Sequence, residues 1–431
     1  MTEPSKGRVL VLGAGGFIGR HVFAALIDAG YEPVGAVRRR AAFSRMFPDH
    51  HSVVCDMAKD VTPEMWQVRL QGMDAVVNCA GILSDRSSRA IHVDAPAALA
   101  AACERSGIRR LIHVSAISAD RQAGTDYARE KLQAEDDLRA RNLDWVILRP
   151  SLVYAQGTHG GTSVLRGLAG LPGVVPLPGD GSQLFSPIHV EDLARCIVLL
   201  LAPNAPVRTT LEPCGPENIS LKEFVLAWRG WLGFGEPRIV NVPMQIVRPF
   251  ARIVDLLGGG PLSTTAIRQL EFGNAGNGDG FAMAIGFMPL PMRAWLARRP
   301  SCVQDKWHAR LYFLRPLLRW TLGLSWIAAG AIGALAPQEA VDAILRPFGW
   351  VGAAGELKWL TCLLDIGVGM ALLSGQLPSL MLGIQVAIVA GYTAIISVSA
   401  PGLWLDPFGA LVKNAVFLAL AAVVAALEDD R

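Results

Sequence analysis

The fold is decided by one stretch near the start of the chain, Arg8-Val-Leu-Val-Leu-Gly-Ala-Gly-Gly-Phe-Ile-Gly-Arg20. Its apolar run Arg8–Leu12 predicts a short strand, and the pattern from Arg20 to Ala29 predicts a helix. Between them, Gly13, Gly16 and Gly19 form a GxxGxxG turn. This order is the context of a dinucleotide site, because glycines let the backbone approach the pyrophosphate and the helix N-terminus attracts its charge. A glycine turn that binds no ligand is the alternative.

Three further apolar runs, Glu32–Val37, Val53–Asp56 and Ala75–Gly81, alternate with helical patterns. Alternation of this period predicts an α/β fold with a doubly wound parallel sheet, the Rossmann architecture. The second run ends in Asp56, which we expect near the adenine. The third ends in Asn-Cys-Ala-Gly, which we expect beside the cofactor cleft.

Three arginines, Arg38, Arg39 and Arg40, follow the second predicted strand. An NAD-specific site carries an acidic residue there for the ribose 2′-hydroxyl, whereas a cation suits the 2′-phosphate of NADP. Arg20, directly after the last glycine, adds another positive charge. We therefore expect NADP(H), with NAD as the alternative, and a solvated arginine loop would give the same pattern.

Several motifs in order resemble the short-chain dehydrogenases/reductases. After the glycine turn come Asn78-Cys-Ala-Gly81, His113-Val-Ser115, Tyr127-Ala-Arg-Glu-Lys131 and Leu148-Arg-Pro-Ser151. Their order and spacing look most like the atypical extended branch that includes the NAD(P)H-binding accessory subunit of respiratory complex I. The resemblance covers roughly residues 8–230. It implies cofactor contacts from Gly13, Gly16, Phe17, Ile18, Gly19, Arg20, Arg38, Asp56, Ala80, Gly81, Ser115, Tyr127, Lys131 and Pro150.

Tyr127 and Lys131 are spaced to lie one turn apart on one face of a helix. A nearby ammonium favours the tyrosinate and lowers the phenol pKa from about 10, so that the phenol can exchange a proton with a substrate oxygen. By resemblance, Tyr127 is the acid/base, Lys131 tunes it and holds the ribose, and Ser115 hydrogen-bonds the same oxygen. The alternative is a surface tyrosine on a helix whose acids and bases mostly face water, namely Arg129, Glu130, Lys131, Glu135, Asp136 and Asp137.

The sequence indicates the residues that would contact the substrate less clearly than those that would bind the cofactor. Residues 151–181 are rich in Gly and Pro and predict a long mobile loop over the cleft, with Thr158, His159 and Ser163 as candidates to line it. Because a lone loop histidine is commonly solvated, His159 is not assigned to the site. Residues 231–310 are expected to form a small variable lobe and linker after a nucleotide domain of residues 1–230.

Four apolar stretches dominate residues 311–431, namely Leu317–Leu335, Leu357–Leu373, Leu380–Val398 and Ala410–Leu427. Each is near the roughly 20 residues needed to cross a bilayer, which predicts an all-α four-helix transmembrane bundle. A buried soluble bundle is the alternative, but it would lack a polar outer face. With Leu364-Asp365 and Trp404-Leu-Asp-Pro407, the block resembles the DoxX-like four-helix membrane family. Several of its glycines are expected to let helices approach closely, namely Gly330, Gly333, Gly367, Gly369, Gly383 and Gly391.

The orientation of the bundle follows from its first flank. From Arg293 to Arg319 there are seven Lys or Arg against one acid, Asp305. This bias predicts a cytoplasmic nucleotide domain and, after four crossings, cytoplasmic termini in a bacterial inner membrane. The run Val9–Leu12 is too short for a secretory signal.

Asp365 is a carboxylate inside a predicted span, where charge is costly. Its functional interpretation is a polar site for a lipid or quinone head group. Its structural interpretation is a proton held between helices or a bond to Gln385, Tyr392 or Lys413.

The composition narrows the function further. The 431 residues carry a net charge of +3 and show no basic stripe with interleaved aromatics, so nucleic acid is not an expected partner. Seven scattered cysteines and eight histidines form no ligand motif, so no metal is expected. We expect a membrane-anchored NADP(H)-dependent oxidoreductase for a hydrophobic carbonyl, alcohol or quinone. A non-catalytic NAD(P)-binding membrane scaffold or assembly subunit is the alternative, and an epimerase or dehydratase is a third interpretation.

Overall fold

The computed structural model describes residues 5–83, 88–119, 124–256, 259–375 and 378–427. The chain divides into two compact units, Met1–Ala309 and Arg310–Arg431. A separate domain boundary at residue 230 stays a prediction. The cytoplasmic position expected for Glu428–Arg431 lies outside the described residues.

The first unit contains a seven-stranded sheet in the order β11-β6-β5-β4-β1-β2-β3. Every neighbouring pair in it is parallel. This confirms the doubly wound parallel sheet. The strands are β1 (Arg8–Leu12), β2 (Glu32–Val37), β3 (Ser52–Val54), β4 (Ala75–Asn78), β5 (Arg110–Val114), β6 (Asp144–Leu148), β7 (Val153–Tyr154), β8 (Val174–Pro178), β9 (Leu184–Phe185), β10 (Ile188–His189), β11 (Thr209–Leu211), β12 (Ile219–Ser220) and β13 (Arg238–Val242).

Helices cover both faces of this sheet. Alternate residues of β1 point to opposite faces. Val9 and Val11 therefore join the core that contains Phe23, whereas Leu10 and Leu12 join the core that contains Trp66. The helices of this unit are α1 (Phe17–Asp28), α2 (Arg40–Met46), α3 (Glu64–Leu70), α4 (Ala95–Arg105), α5 (Asp126–Arg139), α6 (Gly161–Ala169), α7 (Val190–Leu200), α8 (Leu221–Trp231), α9 (Met244–Leu256), α10 (Thr264–Phe272), α11 (Gly278–Ile285), α12 (Met292–Arg298) and α13 (Val303–Leu311). A π-helical turn, Ala90–Asp94, precedes α4.

The prediction of a long mobile loop over residues 151–181 is wrong. This segment contains β7, α6 and β8, and its strands pair with β10 and β13. Leu177 joins a third core with Phe224 and Trp228, and Met292 from the predicted linker packs in the same cluster. Glycine and proline made the segment look irregular, but pairing with distant strands orders it.

The second unit is helical, with α14 (Leu314–Leu335), α15 (Gln338–Leu345), α16 (Ala354–Ser374), α17 (Pro378–Ser399) and α18 (Lys413–Leu427). Short 3-10 helices lie at Arg346–Phe348, Val351–Ala353 and Pro401–Leu405. Among the described residues, three stretches are long and apolar enough to cross a membrane, namely Leu314–Leu335, Val351–Ser374 and Leu380–Ser399. The fourth predicted span corresponds to α18, which is apolar but has only 15 residues.

Polar side chains inside this helical unit bond to one another. The Tyr392 hydroxyl donates to Asp365 Oδ1 at 3.0 Å, and Trp326 Nε1 donates to Gln385 Oε1 at 3.0 Å. Tyr392, one of the three partners predicted for Asp365, therefore bonds to it.

Candidate active site

The glycine turn between β1 and α1 leaves no room for side chains. Gly13 has φ +70°, and a Cβ there would lie 3.1 Å from the Ala80 Cα. A Cβ on Gly19 would lie 2.1 Å from the Gly13 carbonyl oxygen, which is closer than any real contact. The turn therefore needs glycine both for its backbone conformation and for the close packing of α1 against β1.

Helix α1 begins at Phe17 with Gly16 as its N-cap, and no side chain caps it. The first-turn N–H groups and the positive end of the helix dipole therefore suit a phosphate. Arg20 lies in the same turn, and a Cβ on Gly157 would come within 3.2 Å of its Nη2. The His159 ring stacks on the Phe17 ring with a centroid distance of 5.9 Å. His159 thus lies beside the turn, although it is exposed.

The predicted cofactor residues follow the carboxyl ends of neighbouring parallel strands. Gly13 follows β1, Arg38 follows β2, Gly81 comes soon after β4 and Ser115 follows β5. Since parallel strands end at one edge of the sheet, these residues share that edge, and the strand order reverses there between β1 and β4. Pro150 is buried at the same edge after β6, where its carbonyl accepts a bond from the Ile117 N–H at 3.3 Å.

The residues predicted to contact the adenosine part of the cofactor differ in burial. Arg38, Arg39 and Arg40 are exposed, and no partner is seen for them among the described residues. Asp56 is half-buried in its own turn, where it accepts a bond from the Ala58 N–H at 3.2 Å.

Helix α5 carries Tyr127 and Lys131, as the sequence predicted. Lys131 is 2% exposed, and its Nζ donates to the Val114 carbonyl at 3.1 Å. A Cβ on Gly81 would lie 3.4 Å from that Nζ, so the ammonium lies at the carboxyl edge of the sheet. Burial lowers the pKa of Lys131 to about 8, against an opposing effect of Glu135. Lys131 and Glu135 are buried, whereas Arg129 and Asp136 are exposed and Glu130 and Asp137 are half-buried. The alternative of a helix whose charges mostly face water therefore fits the other four charged residues but not Lys131 and Glu135.

Tyr127 is half-buried, and its ring meets the His92 ring edge-on with a centroid distance of 5.4 Å. Burial raises the pKa of Tyr127 to about 12. The expected lowering of this pKa by Lys131 is therefore wrong for the protein by itself, because desolvation of the phenolate dominates.

Ser115 is oriented differently from the prediction. Its hydroxyl donates to Glu135 Oε1 at 2.5 Å, so its proton is directed to a protein carboxylate. Glu135 is 0% exposed and also accepts bonds from Arg149, at 2.5 Å from Nη2, and from Arg139 at 2.8 Å. A buried carboxylate with two guanidinium partners is a strong acceptor, which explains the orientation of the serine.

His92 is a site residue that the sequence analysis missed. Its Nε2 accepts a bond from the Ile82 N–H at 3.1 Å, so its proton lies on Nδ1, which is 3.0 Å from Glu130 Oε2. Burial and the nearby Lys131 lower the pKa of His92 to about 3, which keeps the ring neutral. His92 lies in the π-helical turn before α4. No local sequence motif identifies His92 as a site residue, because it contacts Tyr127 only in the folded protein.

Comparison with known families decides the identity of both units. A family model described as NAD(P)H-binding matches residues 13–202, and one described as the DoxX-like family matches residues 323–422. The chain joins an NAD(P)H-binding domain to a DoxX-like domain. The resemblance stated from the sequence is confirmed for both parts.

Similar proteins agree with this assignment of the NAD(P)H-binding domain. The ceramide reductase of Caulobacter vibrioides is 28% identical over 264 residues, which is 59% of this chain and 80% of that protein. The mitochondrial NADH-ubiquinone oxidoreductase 40 kDa subunit of Neurospora crassa is 23% identical over 273 residues, 61% of this chain and 70% of that protein. The structure of MoeE5 with UDP-glucuronic acid and NAD has a TM-score of 0.51 at 22% identity and covers 68% of this chain and 97% of its own, which supports the fold.

Proposed function

We propose that this protein is a membrane-anchored, NADP(H)-dependent oxidoreductase that acts on a hydrophobic carbonyl, alcohol or quinone. The observation that carries the proposal is the buried Lys131 ammonium beside Gly81, on the same helix as Tyr127. A buried charge in a glycine-lined cleft is costly for folding and is typical of a functional group.

The glycine turn fits a dinucleotide, because side chains at Gly13 or Gly19 would fill the space beside the backbone. We assign Gly13, Gly16, Phe17, Ile18 and Gly19 to the pyrophosphate. We assign Arg38 and Arg20 to phosphate charge, with NADP preferred over NAD, and Asp56 to the adenine. Ala80, Gly81 and Pro150 would line the nicotinamide side, and Lys131 would hold the ribose.

A bound nicotinamide supplies or accepts a hydride. In the proposed reaction Tyr127 passes a proton between its phenol oxygen and the substrate oxygen. Lys131 stabilises the phenolate electrostatically when that proton leaves. His92 is a positioning residue, because its ring contacts the Tyr127 ring and its own bonds to Ile82 and Glu130 fix its orientation. Ser115 directs its proton to Glu135, so in this orientation its oxygen would accept a bond from an alcohol hydroxyl, and it would have to turn away from Glu135 to donate to a carbonyl oxygen.

A substrate from the membrane is supported by the arrangement of the chain and by one relative. The DoxX-like domain and three apolar helices accompany the NAD(P)H-binding domain in a single chain. The relative from Caulobacter vibrioides is named for the reduction of ceramide, a lipid. We further propose a bacterial inner membrane with the NAD(P)H-binding domain and both termini in the cytoplasm, on the basis of the basic flank before α14.

The test uses the intact chain in lipid nanodiscs. We expect it to consume NADPH when a total membrane-lipid extract is added. Tyr127→Phe should lower this rate by about 10²–10⁴-fold, the usual contribution of a general acid, with little change in NADPH affinity. Tyr31→Phe, at the opposite end of the sheet before β2, is the matched control and should behave as wild type. Equal rates in the Tyr127 and Tyr31 variants would remove Tyr127 from the mechanism.

A non-catalytic NAD(P)-binding scaffold is the second candidate. It is favoured by the bond from Ser115 to Glu135 and by the raised pKa of Tyr127. In that case NADPH would bind and raise the unfolding temperature by mass action, while no lipid fraction would cause its consumption.

A further inference from the structure

Helix α9 exposes a row of large apolar side chains. The exposed fractions are 61% for Ile246, 53% for Phe250, 54% for Ile253 and 87% for Leu256. The first three are spaced i, i+4 and i+7, so they share one face of the helix. A contiguous apolar face of this kind in a folded domain marks a surface that contacts something other than water.

The rest of α9 is anchored in the domain. Ala251 is buried on the side away from the apolar row, and Asp255 holds the start of α10 through bonds to the Thr264 N–H at 3.1 Å and hydroxyl at 2.5 Å. The apolar row is therefore not the face by which α9 packs on α10.

A cavity of about 250 Å³ lies between α9 and α10 and is lined by cationic side chains. Arg248 is paired with Glu271 at 2.8 Å. Arg252 and Arg268 also line it, and neither guanidinium has a hydrogen bond or ion pair with any residue that the structure describes. Two unpaired guanidinium groups beside an apolar row are complementary to a surface that combines phosphate groups with hydrocarbon.

We propose that α9 lies in the surface of an anionic lipid bilayer. Ile246, Phe250 and Ile253 insert among the acyl chains, while Arg252 and Arg268 bind lipid phosphates. The bilayer is favoured as the occupant because the same chain continues into helices long and apolar enough to cross a membrane. Covalent tethering to a bilayer raises the effective concentration of its surface near the first unit.

The position of α9 in the fold relates this surface to the candidate active site. Gln269 of α10, the helix packed on α9, donates to the Thr125 hydroxyl at 2.7 Å. Thr125 is the N-cap of α5, which carries Tyr127 and Lys131. Lipid at α9 is thus separated by one helix from the start of the catalytic helix. Delivery of a lipid substrate by this route rests on the proposed function, but bilayer binding by α9 does not.

The test measures lipid contact without turnover. The intact chain carries Cys302→Ser, which removes its exposed cysteine. An environment-sensitive fluorophore is then attached at Phe250→Cys or, as the matched control, at Gln245→Cys, an exposed polar position on the same helix. In nanodiscs containing phosphatidylglycerol, we expect nitroxide-labelled acyl chains to quench the label at 250 and aqueous iodide to quench the label at 245.

The arginines are tested in the same discs. The double variant Arg252→Gln/Arg268→Gln should lower the ratio of inserted to free α9 by about fivefold for each arginine removed. Discs of pure phosphatidylcholine should also lower the ratio of inserted to free α9. Thermal unfolding is used to check that each variant folds. Equal iodide quenching at 250 and 245 would overturn the proposal. So would protection of position 250 without quenching by nitroxide lipid, since that result would mean that protein covers the helix.

Discussion

At the scale of single residues, Glu135 holds the centre of a buried network on α5. Its carboxylate accepts bonds from Ser115, Arg139 and Arg149. Removing one charge from such a network leaves the others without compensation in a medium of low polarity. This network, rather than the cleft, determines where the Ser115 hydroxyl points.

Glu135→Gln should therefore destabilise the protein by about 3–5 kcal/mol, the usual effect of breaking a buried ion pair. The measurement is the midpoint of thermal unfolding of the intact protein. Glu64→Gln is the matched control, because Glu64 pairs with Arg105 at 2.7 Å on the exposed surface, where solvent screens the interaction. A Glu135 variant as stable as the Glu64 variant would contradict the network.

Lys131 makes stability depend on pH. Burial lowers its pKa from 10.5 to about 8, so the folded protein holds this proton less firmly than the unfolded chain. Below pH 8 both states are charged, and burying the ammonium costs on the order of 3 kcal/mol. Between about pH 8 and 10.5 the folded state releases the proton first, so this cost falls as the pH rises.

Lys131→Met should consequently raise the unfolding temperature at pH 7 and weaken NADPH binding. Its advantage in stability should shrink as the pH rises above 8. Lys222→Met, at an exposed lysine of α8, should show neither effect. A stabilisation by Lys131→Met that stays constant up to pH 10 would contradict the assigned cause.

At the scale of elements, the sequence pattern predicted the strands and helices that are determined by interactions within a few residues. Strand β1 matches its predicted bounds, and Tyr127 and Lys131 lie on one helix, because apolar runs and helical spacing act within a few residues. Strands β7 and β8 were missed, since each is ordered by pairing with a distant strand. His92 was missed for a similar reason, as it meets Tyr127 only through the fold. Of the glycines predicted to bring helices together, Gly330, Gly333 and Gly369 do so, whereas Gly367, Gly383 and Gly391 have no neighbour where a Cβ would lie.

The β1–α1 element offers a test of the glycine turn. Gly19→Ala places a Cβ 2.1 Å from the Gly13 carbonyl oxygen. Overpacking of this kind costs about 1–3 kcal/mol, so the turn must shift, and we expect NADPH affinity to fall by about tenfold. Gly230→Ala in α8 meets nothing within 4 Å and should leave affinity unchanged. Wild-type affinity in the Gly19 variant, measured by titration of NADPH fluorescence, would exclude the turn from the nucleotide site.

At the scale of the whole molecule, the combination of domains limits the function more than any single motif. The NAD(P)H-binding domain and the DoxX-like domain were both evident from the sequence, because glycine spacing and long apolar runs are strong local signals. In the part of the chain that the structure describes, three helices have the length and apolarity for a span, while α18 is shorter than the sequence predicted. An NAD(P)H-binding domain joined in one chain to apolar helices of this length would suit a substrate that does not leave the lipid, which is the proposed function.

The most direct test of this account follows the hydride itself. The intact protein in nanodiscs is given NADPH deuterated at the transferable position of the nicotinamide, together with a total membrane-lipid extract, and the lipids are analysed by mass spectrometry. We predict that one lipid class gains a single deuterium with the wild type and with Tyr31→Phe, but not with Tyr127→Phe. Because the O–D of a hydroquinone exchanges with water, quinone reduction is followed separately as the ratio of hydroquinone to quinone. Binding of NADPH with neither deuterium in any lipid nor formation of a hydroquinone would contradict a lipid-directed oxidoreductase and favour the non-catalytic scaffold.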